Sequence, residues 1–433
     1  MDMKPFRGWR YAGADIDGRL APPYDVLSAR DKQSLLDRCE RNIVAVDLPH
    51  MPPKEVGPDE SYAAAAVRLA QWQADGVLRQ DKPALYVYRQ EFDLGSRRFS
   101  RLALLCGVRA TPLGQDVIPH EHTFAGPKAD RLKLTEHTRM QLSPIFGFYT
   151  GNGSLPAMLA EIAQRPADLR ARLDAPGQYS PIDETLWVVD DPTTIQRMQH
   201  ALAKTPVFIA DGHHRYTTAL NYRDRLREAG TIDDDHEANF VLFALVHRDD
   251  PGLIILPTHR VVQGLAAGFD LGKLIAASPE FAWKRVNLDT LDTQNLDVSL
   301  RPHGPTAMAV LDPESVAEGT GWIATLRDEK SMAQAAPDQL PAWRSLNVAI
   351  LHTLLLDRDL APWRTDNTGI DYTPDTATVL AACKEGRAQL GVCLQSTPLP
   401  AVEEIALAGA NMPHKSTYFY PKLTTGIVLK PLE

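Results

Sequence analysis

The chain has 433 residues, of which 44% are hydrophobic and 23% are charged, and its formal net charge is −9 at pH 7. This composition permits a sizeable packed core, and the length suits two or three domains or one large domain with insertions. The acidic balance argues against nucleic acid as a partner, because proteins that bind it normally carry a basic face. No apolar run approaches the roughly 20 residues that cross a bilayer, and no leader sequence is recognisable, so we expect a cytoplasmic protein without a membrane partner.

The N-terminal part of the chain predicts an extended segment followed by two helices with a strand between them. Residues 21–26 contain two prolines, which remove backbone donors and disfavour helix at the preceding residue. Ser28 and Asp31 have the spacing of a capping box, so a helix begins there. The apolar run 42–49 predicts a short strand, and the alanine-rich run 61–73 predicts a second helix.

The middle of the chain alternates strands and helices. Gly95 and Ser96 separate two apolar stretches and predict a hairpin over residues 84–109. The remaining predicted strands are 142–149, 186–190 and 206–210, and the run 117–123 is followed by a loop. The remaining predicted helices are 128–140, 193–204 and a helix that follows the last strand and ends at Gly230.

The C-terminal half has weaker patterns. The turn residues 249–252 predict an antiparallel hairpin between 240–246 and 253–256, and helices are predicted at 342–356 and 376–389. The whole pattern predicts an α+β fold with a mixed sheet covered by helices. We expect a catalytic region at 1–264 and a C-terminal α/β region at 265–433, whose final segment could return to the site.

The most distinctive pattern is a glycine turn between the predicted strand 206–210 and the helix after it. Glycine permits a tight turn, and the first N–H groups of the helix point outward together with the positive end of the helix dipole, which favours an anion. Arg215 adds a planar guanidinium that can hold two phosphate oxygens, and two imidazoles can donate hydrogen bonds or transfer a proton. The sequence therefore predicts a phosphate-binding turn made by Asp211, Gly212, His213, His214 and Arg215.

Gly212, His214 and Arg215 resemble the Gly-x-His-Arg phosphate-binding turn of the ParB/sulfiredoxin superfamily, which includes free-serine kinases. The resemblance implies that the turn holds nucleotide phosphates and that the fold contains a ParB/sulfiredoxin-like core. Because 210 residues precede the turn, that core would carry large insertions.

A wider resemblance extends over nearly the whole chain. The runs that carry it are 21–26, 42–49, 119–123, 128–132, 142–146, 210–215, 257–260 and 412–417, in this order. On these runs the chain is identified as a member of the domain of unknown function 1015 family. Membership implies a bacterial or archaeal protein related to serine-kinase-like proteins, and it implies no particular activity.

A second group of polar side chains lies at 120–131. Glu121 is a candidate general base for phosphoryl transfer, and Lys128 and Arg131, one helical turn apart, could clamp an anion. His120 and His122 alternate along an extended segment, so they could instead share a face as two metal ligands. The same spacing also suits loop histidines that are bound to backbone carbonyls.

Three further places carry candidate residues. His259 and Arg260 follow the predicted strand 253–256 and bring another guanidinium to a strand end. Lys415 could reach a phosphate, although no glycine-rich P-loop precedes it. Asp25 is held by the prolines before it and is a second carboxylate candidate.

These residues predict a nucleotide-dependent phosphotransferase acting on a small hydroxylated metabolite such as free serine, with ATP or ADP and Mg²⁺ as cofactors. Glu121 or Asp25 would orient the acceptor hydroxyl. Two alternatives stay open: a metal-dependent hydrolase or phosphatase that uses the histidines at 120, 122, 213 and 214, and a nucleotide-binding regulator without turnover. The sequence leaves open the oligomeric state and whether 120–131 and 211–215 form one site.

Overall fold

The computed structural model describes residues 1–123, 125–151, 153–174, 180–292 and 296–433. These residues form two compact units. Unit 1 comprises Met1–Ile254 together with Pro421–Glu433, and unit 2 comprises Ile255–Tyr420. The boundary expected after residue 264 therefore lies inside unit 2, and the last segment of the chain belongs to unit 1.

Unit 1 is built on a mixed sheet. The strands of unit 1, not all of which belong to this sheet, are β1 (Met3–Lys4), β2 (Trp9–Tyr11), β3 (Leu78–Gln80), β4 (Leu85–Leu94), β5 (Arg97–Arg109), β6 (Val117–Ile118), β7 (Met140–Gln141), β8 (Ile145–Tyr149), β9 (Leu169–Leu173), β10 (Ile182–Val189), β11 (Val207–Asp211) and β12 (Phe240–His247). The nine-stranded sheet has the order β6-β11-β8-β12-β5-β4-β10-β9, with β1 paired to β5. Two pairings, β6 with β11 and β8 with β12, are parallel, and the others in this sheet are antiparallel.

Helices cover this sheet. They are α1 (Ala29–Arg38), α2 (Val44–Asp47), α3 (Asp59–Ala74), α4 (Ala125–Thr138), α5 (Ser154–Ile162), α6 (Pro192–Leu202) and α7 (His213–Glu228). α1 begins with the predicted capping box, since the Ser28 side chain accepts from the Asp31 N–H and the Asp31 carboxylate accepts from the Ser28 N–H. The mixed sheet and its helices confirm the predicted α+β fold.

The core of unit 1 follows from the alternation of side chains along the central strands. Leu104, Cys106 and Val108 point to one face of β5 and pack in one buried cluster with Leu159 of α5 and Met198 of α6. Each large apolar side chain buried in this way contributes about 1.5–3 kcal/mol. The predicted hairpin of β4 and β5 is confirmed, and it turns at Gly95, whose φ of 59° suits glycine.

Two local predictions in unit 1 are wrong. Residues 42–49 contain the short helix α2 instead of a strand. The Asn42 side chain bends the chain there, because its Oδ1 accepts from the Val44 N–H at 2.9 Å while its amide donates to the carbonyls of Gly18 and Leu20. A short apolar run that is buried on all sides looks the same in a helix and in a strand.

The second wrong prediction is the hairpin between 240–246 and 253–256. β12 lies between β8 and β5, and the strand after the turn, β13 (Ile254–Leu256), pairs with β20 (Tyr418–Tyr420). The turn itself forms, since the Asp250 carboxylate accepts from the Gly252 N–H. The turn therefore forms, but the strand after it cannot pair with β12, because β8 and β5 already occupy both edges of β12.

Unit 2 contains a six-stranded antiparallel sheet. The strands of this sheet are β14 (His259–Gln263), β15 (Phe281–Asn287), β16 (Met308–Leu311), β17 (Thr320–Leu326), β18 (Gly369–Thr373) and β19 (Leu390–Cys393), in the order β15-β17-β16-β19-β14-β18. Its helices are α8 (Leu271–Ala277), α9 (Leu296–Leu300), α10 (Pro313–Ala317), α11 (Lys330–Ala335), α12 (Pro341–Arg344), α13 (Asn347–Ile350), α14 (Thr376–Lys384) and α15 (Leu399–Leu407). The helix predicted at 342–356 is divided into α12 and α13, and a π-helical segment, Leu351–Asp359, continues α13.

The last strand, β21 (Lys430–Pro431), returns to unit 1 and pairs with β7. Of the helices in the described residues, none combines the length and the apolar character that a bilayer crossing requires.

Candidate functional site

The predicted glycine turn forms at the end of β11. Asp211 closes the strand, Gly212 adopts a φ of 98°, and α7 begins at His213. The N-cap residue is Gly212, which has no side chain that could cap the helix. A Cβ at Gly212 would lie 3.0 Å from the Arg215 guanidinium. Glycine is thus favoured here by the backbone conformation, and the closeness of Arg215 adds a steric cost to any larger residue.

Arg215 turns back over this glycine and is held by three groups. Its guanidinium donates to Ser143 Oγ at 3.0 Å, to the Pro144 carbonyl at 2.6 Å and to Asp211 Oδ2 at 2.9 Å. The other oxygen of Asp211 pairs with Lys422 from the C-terminal segment. One carboxylate therefore lies between two cations at the turn.

His213 and His120 join the turn to the segment at 120–131. The His120 N–H donates to His213 Nε2 at 3.3 Å, and the two rings meet edge to face with centroids 4.7 Å apart. Both side chains are buried. Burial lowers the pKa of His120 to about 4 and that of His213 well below its ordinary value, so both rings are neutral at pH 7. His213 thus connects two segments inside the protein, and its predicted contact with a phosphate stays a prediction.

The segment after His120 continues into α4, where Asp130 lies at the centre of a buried network. Its Oδ1 is 2.8 Å from His50 Nε2 and accepts from the Tyr62 hydroxyl at 2.8 Å, and its Oδ2 accepts from Arg131 at 2.8 Å. Burial alone would raise the pKa of Asp130, but the charge of Arg131 and the bonds from His50 and Tyr62 outweigh burial and lower it. Asp130 therefore orients Arg131 and connects α4 to α3.

Arg131 is directed toward the N-terminal part of unit 1. Its guanidinium donates to the Asp47 carbonyl at 2.6 Å and lies 4.0 Å from the centroid of the Tyr24 ring. Burial raises the pKa of the Asp47 carboxyl, and the charges of Arg131 and Arg215 oppose this rise. Burial also raises the pKa of the Tyr24 hydroxyl, so it stays protonated at pH 7.

One cavity of unit 1 contains residues from all of these segments. Its polar lining includes Arg131 and Arg215, two of the predicted cations, together with Tyr24, Asp47 and Ser143. Its apolar lining comprises Leu134, Met140, Leu142, Ile145, Ala219, Val241 and Leu242. The segments 120–131 and 211–215, whose proximity the sequence left open, thus meet in one cavity.

Several predicted residues of unit 1 do not line this cavity. Asp25 is exposed in a one-turn 3₁₀ helix, Tyr24–Val26, and its charge raises the pKa values of both Tyr24 and Asp47. Glu121 is half-buried in the loop before α4, and Lys128 is half-buried in the first turns of α4. His214 is half-buried at the start of α7. The roles predicted for these four residues stay predictions.

The histidines predicted as alternative metal ligands do not share a face. His120 is buried and His122 is exposed, because residues 119–123 form a loop and the strand β6 ends at Ile118. His213 Nε2 already accepts the His120 N–H. Among the described residues, no group of three or more histidine, cysteine, aspartate or glutamate side chains is placed to hold a metal ion.

The remaining predicted residues belong to unit 2. Arg260 is fully buried and donates to the carbonyls of Thr258, His414 and Lys415 and to His352. His259 is also buried, and its Nδ1 accepts from the Leu394 N–H while its Nε2 lies 3.0 Å from the Thr376 hydroxyl. Lys415 has a φ of 57° and is half-buried. The guanidinium of Arg260 and both ring nitrogens of His259 are thus used within unit 2.

Sequence reasoning did not select four residues of the unit 1 site. Tyr24, Asp47 and Ser143 lie in runs that carry the family resemblance, and that was the available signal. Lys422 had no local signal, because it reaches Asp211 from 211 positions along the chain.

The comparisons with known proteins identify the family. Residues 3–349 match the family described as "Protein of unknown function (DUF1015)", and the chain belongs to this family, as the resemblance implied. No curated protein matches the sequence.

Solved structures with some similarity include three from different sources. A conserved hypothetical protein from Pyrococcus furiosus is 12% identical, covers 76% of this chain and 95% of its own, and has a TM-score of 0.34. A free serine kinase in complex with AMP is 9% identical, with 75% and 91% coverage and a TM-score of 0.33. SbnI with a C-terminal truncation, from Staphylococcus aureus, is 12% identical, with 76% and 87% coverage and a TM-score of 0.35. These similarities are too low to assign a function.

Proposed function

We propose that the protein is a nucleotide-dependent phosphotransferase that uses ATP or ADP with Mg²⁺ and acts on a small hydroxylated metabolite, with free serine as one candidate acceptor. The observation that carries this proposal is the convergence of Arg131 and Arg215 on one cavity, with Arg215 in the first turn of a helix whose N-cap residue is a glycine. Phosphoryl transfer needs mainly positioning and the stabilisation of negative charge, and guanidiniums and helix N–H groups supply both.

The donor phosphates would lie against the turn. Gly212 permits close approach of a phosphate to the backbone, and the first N–H groups of α7 would donate to its oxygens. Arg215 would exchange its bond to Asp211 for a bidentate contact with phosphate, while Lys422 keeps Asp211 neutralised. Arg131 is oriented by Asp47 and Asp130 and would stabilise the charge on the transferring group.

The acceptor would meet the transferring phosphoryl group on the side of Asp25. In the reaction the bond from phosphorus to the donor oxygen breaks, a bond from phosphorus to the acceptor oxygen forms, and the hydroxyl proton passes to a carboxylate. Asp25 suits this role because it is exposed next to Tyr24 and Asp47, and Glu121 is the second candidate. Mg²⁺ prefers oxygen ligands and is usually bound by one or two carboxylates and the phosphates, so Asp25 also fits as its protein ligand.

The experiment compares nucleotide binding and turnover in matched variants. Isothermal titration with ATP and ADP, with and without Mg²⁺, measures binding, and a coupled assay with a panel of hydroxy amino acids and other small alcohols measures transfer. We expect Arg215→Met to weaken nucleotide binding about tenfold or more, since a hydrogen bond to a charged group contributes about 1.5–3 kcal/mol. Asp25→Asn should lower turnover by about 10²–10⁴ and leave nucleotide affinity measured without Mg²⁺ nearly unchanged.

Arg225→Met is the matched control, because Arg225 lies on the same helix but pairs with Glu136 on the surface. It should leave both measurements unchanged. The proposal fails if the wild-type protein binds neither ATP nor ADP. Tight binding without transfer to any acceptor would instead support the regulator, and release of phosphate from phosphate esters without a nucleotide would support the phosphatase.

A further inference from the structure

Unit 2 contains a cavity of its own. Its volume is about 470 Å³, within the roughly 300–1,000 Å³ that small-molecule sites occupy. It is lined by α9, by the end of α12, by the starts of α13 and α15 and by the loop between β19 and α15. We propose that this cavity binds a small metabolite that carries an oxyanion, either a phosphate or a carboxylate. The proposal concerns unit 2 alone and is independent of the phosphotransferase activity proposed for unit 1.

Two arginines in the cavity supply the main observation. Arg301 and Arg344 line it, and neither forms an ion pair with a carboxylate in the part of the chain that the structure describes. Other arginines of unit 2 do form such pairs: Arg285 with Glu318, Arg358 with Asp359, Arg364 with Asp357 and Arg387 with Glu385. A guanidinium can donate two parallel hydrogen bonds to one phosphate or carboxylate. The two cations without a carboxylate partner are therefore available to an oxyanion.

Two carboxylates also line the cavity. Asp297 accepts from the N–H of Ser396 at 2.8 Å and from its hydroxyl, so both of its oxygens are used within the protein. Glu329 is exposed, and water therefore screens its charge. Neither carboxylate forms a pair with Arg301 or Arg344. The position of Glu329 would also allow a ligand that carries an ammonium group in addition to its oxyanion.

Asn347 is an independent indication of a ligand. The residue is 7% exposed and lines the cavity. Its amide nitrogen makes one long bond, 3.5 Å to the Gln395 carbonyl, and its side-chain oxygen accepts no hydrogen bond from the described residues. A polar side chain that is buried to this degree normally has good partners. The carboxamide of Asn347 can supply one donor and one acceptor to a molecule in the cavity.

A hydroxyl and a helix dipole also act on the same space. The Thr306 hydroxyl accepts from the Leu326 N–H at 3.2 Å, and its own proton is free to donate. α15 is nine residues long, starts at the wall of the cavity, and has Pro398 at its N-cap with no side-chain cap. The positive end of its dipole favours negative charge there. The two arginines, the Asn347 amide, the Thr306 hydroxyl and the start of α15 thus all favour a ligand that carries an oxyanion.

The test measures binding of two simple oxyanions to the full-length protein. Inorganic phosphate and citrate are titrated separately by calorimetry and by thermal unfolding at constant ionic strength, with sodium chloride as the reference salt. We expect at least one of them to bind saturably and to raise the Tm above that in chloride. Arg301→Met/Arg344→Met should weaken that binding about tenfold or more, because it removes charged hydrogen bonds. A response to phosphate alone assigns a phosphorylated ligand, and a response to citrate alone assigns a carboxylate.

Arg364→Met is the matched control, since it removes the same charge from unit 2 at a surface pair with Asp357. It should leave the affinity unchanged. If the double variant does not fold, Arg301→Met decides alone, because Arg301 is exposed and its loss leaves no cavity in the core. Absence of binding by both anions, or equal binding by the wild type and the arginine variants, overturns the proposal.

Discussion

A single carboxylate controls the charge at the glycine turn of unit 1. Asp211 accepts from Arg215 on one oxygen and pairs with Lys422 on the other. All three side chains are largely buried, and charges in such surroundings interact more strongly than in water. Arg215 reaches Asp211 by folding back over Gly212, where a Cβ would lie 3.0 Å from the guanidinium. The position of one guanidinium therefore depends on one glycine.

Gly212→Ala tests this dependence. The alanine pays about 1–2 kcal/mol for the left-handed conformation, and its Cβ, 3.0 Å from the guanidinium, displaces Arg215. We expect the free energy of unfolding to fall by about this amount and nucleotide affinity to fall by less than in Arg215→Met, because the Cβ shifts the guanidinium without removing it. Gly230→Ala is the control, because Gly230 has a φ of 66° at the other end of α7 and nothing within 4 Å. Denaturant unfolding and calorimetry should show a similar loss of stability there with nucleotide affinity retained. Equal loss of affinity in both variants would contradict the role of Gly212.

The helices α3 and α4 are tied together by buried polar groups. The Tyr62 hydroxyl of α3 donates to Asp130 of α4 and accepts from the Gly57 N–H at 2.8 Å. His50 reaches the same oxygen of Asp130 from the loop before α3. Because Asp130 also holds Arg131, the packing of two helices sets the direction of a guanidinium in the candidate site. A pair of helices with only apolar contacts would leave that direction open.

Tyr62→Phe measures what this connection contributes. Removal of the hydroxyl leaves a buried carboxylate and a backbone N–H with one partner fewer, which costs about 1–3 kcal/mol. Tyr222→Phe is the matched control, since the Tyr222 hydroxyl makes no hydrogen bond with the described residues although its ring is buried on α7. Urea unfolding should show a loss of stability in the first variant and almost none in the second. Two variants of equal stability would show that the Asp130 network adds nothing to the packing of α3 on α4.

At the scale of the whole molecule, the C-terminal segment completes unit 1. Residues 421–433 bring Lys422 to Asp211, add β21 beside β7, and place the Thr424 hydroxyl against Glu184 of β10. Glu184 is fully buried, and burial raises its pKa to about 7 in spite of the hydrogen bonds it accepts. The C-terminal segment thus contacts a buried carboxyl group whose pKa lies well above the ordinary value for glutamate.

Glu184 makes the stability of the protein depend on pH. The unfolded chain releases this proton near the ordinary pKa of 4.5, whereas the folded protein keeps it to about 7. The stabilisation by protonated Glu184 is therefore fully present below about pH 4.5 and is lost as the pH rises to about 7. The difference between these two pKa values corresponds to a fall of about 3 kcal/mol in the free energy of unfolding. Glu184→Gln should remove this fall when the free energy of unfolding is measured across that range. Glu161→Gln, at an exposed position of α5, should retain it. Parallel curves for Glu184→Gln and the wild type would refute the prediction.

Local patterns predicted much of unit 1 because their causes are local. The capping box at Ser28, the hairpin at Gly95 and the strand-turn-helix at Gly212 depend on residues a few positions apart. The strand predicted at 42–49 failed because the Asn42 side chain binds carbonyls distant in sequence. The hairpin predicted after β12 failed because strands from elsewhere in the chain occupy its edges.

The sequence by itself determined the turn at 211–215, the cations that accompany it and the family to which the chain belongs. Only the tertiary structure decided which of those cations meet. It brought Arg131 and Arg215 to one cavity, used Arg260 inside unit 2, and added Asp47 and Lys422 to the site of unit 1. The reason is physical: a turn is set by the conformations of neighbouring residues, whereas a site depends on distances across a core, and those follow from the packing of the whole chain.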